Sequence, residues 1–393
     1  MRFNRKFRMH VLKSIGIAGA GFSGAIIANE LAQAGYKVTV FEPRAHIAGN
    51  CFSARDTQTG VMVHKYGPHI FHTDKEHVWH YVNKLSAFKP YVNRVKANAG
   101  GKIYSLPINL HTINQFFGKA MSPAEAADFI RQQADNSIAE PETFEQQAMK
   151  FVGEALYRAF FAGYTQKQWG LSPTELPASI LKRLPLRFNY DDNYFNHQFQ
   201  GMPEQGYTPL VEQLLDHPNI TVHLQQKLSR AQCAAFDHVF WSGPLDAYFD
   251  FSLGHLPYRT LDFKEIRASG DYQGAAVINY CDPAVPYTRI SEHKHFAPWE
   301  QHTDTVCFAE YSRQATPADE PYYPVRLVND KQLLSDYVAL AEQERAITFV
   351  GRLGTYRYLD MDVTIDEALQ TANTFLQSQA AKRAMPVFVI SPL

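Results

Sequence analysis

Only four cysteines stand in this 393-residue chain, Cys51, Cys233, Cys281 and Cys307, and no two of them form a C-x-x-C pair. That spacing supports neither a disulfide framework nor a cysteine zinc site, and it fits a reducing, cytoplasmic compartment. Charge of one sign is lacking too: 38 Lys and Arg stand against 39 Asp and Glu, a net charge of −1. Such a balance gives no electrostatic drive toward nucleic acid or an anionic membrane surface. No run approaches the roughly 20 consecutive apolar residues of a membrane span, so neither a span nor an export segment is expected. The phosphate-binding pattern G-x-x-x-x-G-K-[ST] is absent, and Gly21-Phe22-Ser23-Gly24-Ala25 lacks the last glycine of G-x-S-x-G. P-loop and nucleophile-elbow chemistry are thereby excluded.

What the chain does have is length for two or three domains, and 13% aromatic residues, which suit either core packing or ligand walls. After a short basic extension over residues 1–13, the apolar run Ile15-Gly16-Ile17-Ala18 reads as a strand. It leads into Gly19-x-Gly21-x-x-Gly24, then a helical pattern to Gly35, then the strand Lys37–Phe41 ending at Glu42. Three glycines in that context permit a tight turn and close backbone approach, so a pyrophosphate can lie on the helix N-terminus. Glu42 sits where a carboxylate accepts from a ribose hydroxyl, and an acid there argues against a 2′-phosphate.

The expected architecture is α/β: a Rossmann-like dinucleotide-binding domain assembled from residues 14–77, 201–253 and 340–390, a helical insertion over 78–200, and an antiparallel-sheet domain over 254–339. Thr364-Ile365-Asp366-Glu367 has capping-box spacing and predicts a helix start there. His64, His69 and His72, with His293 and His295, raise metal ligation. Extended chain puts His69 and His72 on opposite faces, so no metal site is expected. Arg183, Arg289, Tyr194, Tyr322, Tyr323, Tyr356 and Tyr358 together suit a phosphate-bearing ligand.

Five separated motifs carry a closer likeness. The nucleotide fingerprint joins Asn50 and Tyr66-Gly67-Pro68-His69-Ile70-Phe71-His72-Thr73, then Gly163-Tyr164-Thr165-x-Lys167-Gln168-Trp169-Gly170. After these come Pro286-Tyr287-Thr288-Arg289 and Gly351-Arg352-Leu353-Gly354-Thr355-Tyr356-x-Tyr358-x-Asp360-Met361. In this order, from about residue 14 to about 390, the chain closely resembles bacterial UDP-galactopyranose mutases.

The resemblance implies FAD as cofactor, active when reduced. It maps the cofactor to Gly19, Gly21, Phe22, Ser23, Gly24, Glu42, Asn50, His69, Arg352, Asp360, Met361, Asp362 and Val363. A UDP-galactose substrate is implied on Asn93, Phe160, Tyr164, Thr165, Trp169, Arg183, Tyr194, Asn279, Arg289, Tyr323 and Tyr358, with Arg183 and Arg289 bracketing the diphosphate and His69 beside the flavin. The implied reaction exchanges UDP-galactopyranose and UDP-galactofuranose through a reduced-flavin N5–sugar adduct, supplying galactofuranose for cell-surface polysaccharide. An external reductant and a homodimer are implied as well. So is a mobile loop from Trp169 to Arg183, with Gly170 as hinge. Ala48 departs from the family pattern, which has a glycine there; alanine is expected to exclude left-handed backbone at that position. A flavin amine oxidase or desaturase is the rival reading, and a flavin-stabilised binding module that turns nothing over is the other.

Overall fold

A computed structural model describes residues 13–183, 186–325 and 331–393, with the side chains of 182 and 183 outside the description. The described residues divide into two compact units, one drawn from 13–49, 210–254 and 335–393, the other from 50–209 and 255–334.

The first unit is built on a five-stranded sheet in which every pairing is parallel. Its order is Ile220–Leu224, Lys37–Glu42, Ser14–Ala18, His238–Trp241, Ile347–Phe349. Parallel strands need crossover connections, and the helix Phe22–Gln33 supplies the first, stopping where Gly35 takes a positive φ of 92°. The last helix, Met361–Ala380, lays the stripe Ile365, Ala368, Ala372 and Phe375 inward at helical spacing. Phe375 meets the rings of Tyr36, His238 and Phe240 at 5.5, 5.2 and 5.5 Å. This helix begins at Met361 with Asp360 as its N-cap, one turn before the start expected from Thr364. The Thr364 N–H already donates to the Asp360 carbonyl at 2.9 Å, so the capping-box spacing falls inside the helix.

The second unit holds a seven-stranded sheet in the order Tyr323–Pro324, Tyr258–Ser269, Asp304–Gln314, Arg289–Glu292, Val277–Tyr280, Val95–Ala99, Lys102–Leu106. The antiparallel sheet expected over 254–339 is present, and it takes in further strands from outside that range. Val277–Tyr280 pairs parallel with Val95–Ala99, and that strand and its hairpin partner come from the stretch read as helical. The same stretch also holds the strand Phe88–Pro90, paired with Phe199–Pro203, and several helices. Ser122 and Thr143 both form capping boxes, opening Pro123–Gln133 and Phe144–Leu156. A π-helical turn, Tyr157–Ala162, follows and runs into the helix Gly163–Trp169. Phe144, Ala148, Val152 and Leu156 form one buried face of the helical core.

Burial holds histidines neutral in both units. It pulls His293 down to about 3 and His64 well below the ordinary range in the second, and His238 down to about 4 in the first. Their folded pKa values lie below the unfolded value, so unfolding takes up protons under pH ~6.5. Their contribution is complete above that pH and is lost as pH falls, at about 1.4 kcal/mol per pH unit for each histidine. Denaturant midpoints at about pH 7.5 and about pH 5 should therefore differ steeply, and less so in His293→Gln.

Candidate functional site

In the first unit the glycines of the fingerprint serve different purposes. A Cβ on Gly24 would lie 2.0 Å from the Gly19 carbonyl, and one on Gly19, whose φ is +101°, would lie 2.2 Å from Ser242 Oγ. Those two are required by the fold itself. Gly21 is not: its φ of −78° suits any residue, and its Cβ would meet nothing nearer than Gly49 Cα at 3.9 Å. The space left open beside Gly21, at the N-cap of Phe22–Gln33 where no side chain caps the helix, fits a pyrophosphate. Phe22 and Ser23 open that helix's first turn, and both are buried.

Glu42 is buried at the end of its strand. One carboxylate oxygen accepts from Ala20 N–H at 2.9 Å and the other from Arg44 N–H at 3.0 Å. Each oxygen keeps a lone pair, which suits ribose hydroxyls. Gly351, at φ +72°, brings Arg352 to the same helix start, since a Cβ there would lie 2.6 Å from Ser23 Oγ. Arg352 donates to the Leu359 carbonyl at 3.2 Å and stands 5.7 Å from the Tyr358 ring centroid. Asp360 makes no side-chain cap to the helix it opens, and Asp362 turns back on Val363 N–H at 2.8 Å. Asp360, Met361, Asp362 and Val363 thus present a second helix N-terminus, one able to favour negative charge.

Ala48 overturns one expectation. It is buried and left-handed at φ +70°, the geometry alanine was expected to exclude, and its N–H donates to Ala20 O at 2.9 Å. The hydrogen bond and the burial hold it there against the Cβ clash. Ala48→Gly should raise stability by about 0.5–1 kcal/mol in denaturant titrations, the relieved strain being partly offset by the greater freedom of the unfolded chain.

In the second unit Tyr164, Tyr194 and Tyr323 neighbour one guanidinium, while Tyr322 packs by Tyr66 and Phe263, and Tyr356 and Tyr358 belong to the first unit. Arg289, on the sheet, has Glu310, Tyr164, Tyr323 and Tyr194 as its electrostatic neighbours. Burial costs the Arg289 cation, but Glu310 and the tyrosines hold its pKa above the ordinary value. Burial pushes the Tyr164 hydroxyl up, opposed by Arg289. It pushes Glu310 up as well, against the same cation.

The Arg289 Nε to Glu310 Oε1 distance is 3.2 Å, yet neither atom makes a hydrogen bond. Asn279 stands opposite Arg289 in the strand register, and Asn93 accepts Tyr194 N–H on its carbonyl at 2.9 Å. Both asparagines are buried with Oδ1 lacking a partner. Buried polar atoms left unpaired cost about 1–3 kcal/mol each; the asparagine oxygens are acceptors and suit ligand N–H or O–H groups, while the Arg289 cation suits an anion.

Thr165 is buried on the helix that carries Tyr164, while Trp169 packs at the edge of the helical core. Phe160 lies within that core on the π-helical turn, 5.2 Å from Tyr104 and 5.5 Å from Phe116. Asn50 lies in the 3-10 turn Gly49–Cys51, and His69 is held by Nδ1 against Gly67 O at 2.9 Å and by the Tyr207 hydroxyl, which donates to its carbonyl at 2.8 Å. Arg183 ends the 3-10 turn Ala178–Arg183, but its side chain lies outside the described residues.

Glu310 and Arg259 escaped the sequence reading. Glu310 is brought to Arg289 by strand register, which leaves no local spacing to read. Arg259 is buried, donates to the carbonyls of Lys167 and Gln168 and to Ser312, and is depressed by burial. It lies among the buried first residues of the mixed strand Tyr258–Ser269, which carries a second arginine, and no local spacing singles it out.

Comparison with known proteins gives the family. Residues 159–358 match the UDP-galactopyranose mutase family model, and residues 17–85 match the NAD(P)-binding Rossmann-like domain. A Klebsiella pneumoniae protein named as a probable UDP-galactopyranose mutase is 60% identical over 96% of this chain and 98% of its own length. A dTDP-fucopyranose mutase of Escherichia coli is 53% identical over 93% and 99%. A crystal structure of reduced UDP-galactopyranose mutase superposes with a TM-score of 0.72 at 14% identity, over 93% of this chain and 96% of that one, which speaks for the fold. On the family model and the extent of these identities, the chain belongs to the UDP-galactopyranose mutase family.

Proposed function

We propose that the protein is a flavin-dependent mutase that interconverts the pyranose and furanose forms of UDP-galactose, with FAD as cofactor. The observation that carries this reading is the cluster around Arg289, where Tyr164, Tyr194 and Tyr323 neighbour a cation fitted to a diphosphate. Arg289 would hold the UDP leaving group after the anomeric C–O bond breaks and keep it in place for return, with Arg183 as its partner. Tyr194 and Tyr323 would donate to the phosphate oxygens, and Tyr164 with Thr165 would hold the uracil. Such a site works by positioning and charge stabilisation, since the sugar keeps its oxidation state. Reduced flavin, when bound, supplies an electron-rich ring nitrogen as nucleophile toward the anomeric carbon. In the first unit, Gly21 leaves room for the pyrophosphate, Glu42 takes the ribose, and the N-terminus at Asp360 favours the anionic reduced ring. The furanose product would serve a transferase that builds polysaccharide.

A dTDP-linked 6-deoxy sugar is the second reading, favoured by the Escherichia coli relative. Dithionite-reduced protein should equilibrate UDP-galactopyranose with its furanose at a kcat/KM at least about tenfold above that for dTDP-fucopyranose. The reverse preference would move the assignment to the deoxy sugar.

A further inference from the structure

The segment Gly163–Gly170 contributes Tyr164, Thr165 and Trp169 to the proposed site, which leaves Gly163 and Lys167 without a role. The Lys167 ammonium donates to four backbone carbonyls of a single loop: Tyr280 at 2.7 Å, Asp282 at 2.8 Å, Val285 at 2.9 Å and Tyr287 at 3.1 Å. An ammonium has three N–H groups, so these acceptors share them, and no carboxylate lies within ion-pairing distance among the described residues. Burial pulls the Lys167 pKa down, with the more distant Asp282 opposing it.

Gly163 completes the contact. A Cβ there would stand 2.4 Å from the Cys281 carbonyl and 2.8 Å from Pro283 Cδ, so helix and loop touch through backbone. The loop joins the strands Val277–Tyr280 and Arg289–Glu292, which carry Asn279 and Arg289. The helix carries Tyr164 and Thr165.

We propose that Lys167 is a positioning residue: by caging the 280–287 loop against the helix, it sets the spacing between Tyr164 and Thr165 on one side and Asn279 and Arg289 on the other. This rests on the reading of that cluster as the nucleotide-diphosphate site. Lys167 touches neither substrate nor cofactor in this account, and its effect is on affinity for the nucleotide half of the substrate. Loss of the ammonium leaves four carbonyls of the loop without their shared donor, and the loop relaxes away from the helix.

The test is titration of UDP into full-length, flavin-loaded wild type, Lys167→Met, Lys167→Arg and Gly163→Ala, with steady-state kinetics on each. Lys167→Met should weaken UDP binding about tenfold or more and raise KM in step, with kcat within about threefold and flavin content unchanged. Lys167→Arg, which keeps the charge, should recover part of that affinity. Gly163→Ala pushes the same loop from the other side and should weaken UDP in the same direction, so it decides the matter if Lys167→Met does not fold. A lower Tm with UDP affinity unchanged within about twofold in the folded variants would overturn the proposal and leave the lysine a purely structural part. Failure of the wild type to bind UDP at all would overturn the nucleotide reading itself.

Discussion

Arg289→Ala should lower kcat/KM by about thirty-fold to a thousand-fold, the roughly 2–4 kcal/mol that a charged group holding a leaving diphosphate contributes. The variant also strands Glu310, which is 4% exposed and is already pushed upward by burial. Arg289 is itself 27% exposed, so stranding the buried carboxylate costs less than the roughly 3–5 kcal/mol of a fully buried pair, yet part of the loss can come from misfolded protein. The double variant Arg289→Ala, Glu310→Gln separates the two effects. Its Tm should return toward wild type, because no carboxylate is left without a cation, while kcat/KM stays low. Recovery of activity along with stability would show that the arginine serves the fold and not the diphosphate.

Gly21→Val should yield a folded, colourless protein that no longer retains flavin. The expectation follows from the empty space around Gly21, where a Cβ would meet no protein atom within 3.4 Å and φ is unrestrictive. Gly24→Val, by contrast, drives a side chain into the Gly19 carbonyl at 2.0 Å and should lower stability first. Absorbance of released flavin, read beside the thermal midpoint of each variant, distinguishes them. Equal unfolding in both would mean that Gly21 is a packing glycine. Full flavin retention by Gly21→Val would take the pyrophosphate away from this turn.

Local signals made the first unit readable. The run from Ile15 to Glu42 carries strand, turn, helix and strand in one unbroken stretch, and the parallel pairing Ser14↔Lys37 follows from its handed crossover. The second unit depends on partners far apart in the chain. Val95–Ala99 pairs with Val277–Tyr280, a partner that no local spacing reveals, and the one nearby signal is the hairpin turn Gly100–Gly101, at φ 59° and 74°. The candidate site divides the same way. Tyr164 and Arg289 were recoverable because each sits in a compact motif. Glu310 was not, because only register across two strands sets it beside Arg289. Thr364 misled for a related reason: its capping-box spacing is real, but the turn before it was already helical.

The central claim is an isomerisation that needs reduced flavin yet consumes no electrons. Incubation of the flavin-loaded protein with UDP-galactofuranose, with and without dithionite, followed by chromatography of the nucleotide sugars, tests it most directly. The account predicts conversion to UDP-galactopyranose in the reduced sample over many turnovers, with little in the oxidised one and no sugar oxidation product in either. Conversion that is equally fast without reductant, or an oxidised sugar formed in proportion to flavin reduced, would contradict it.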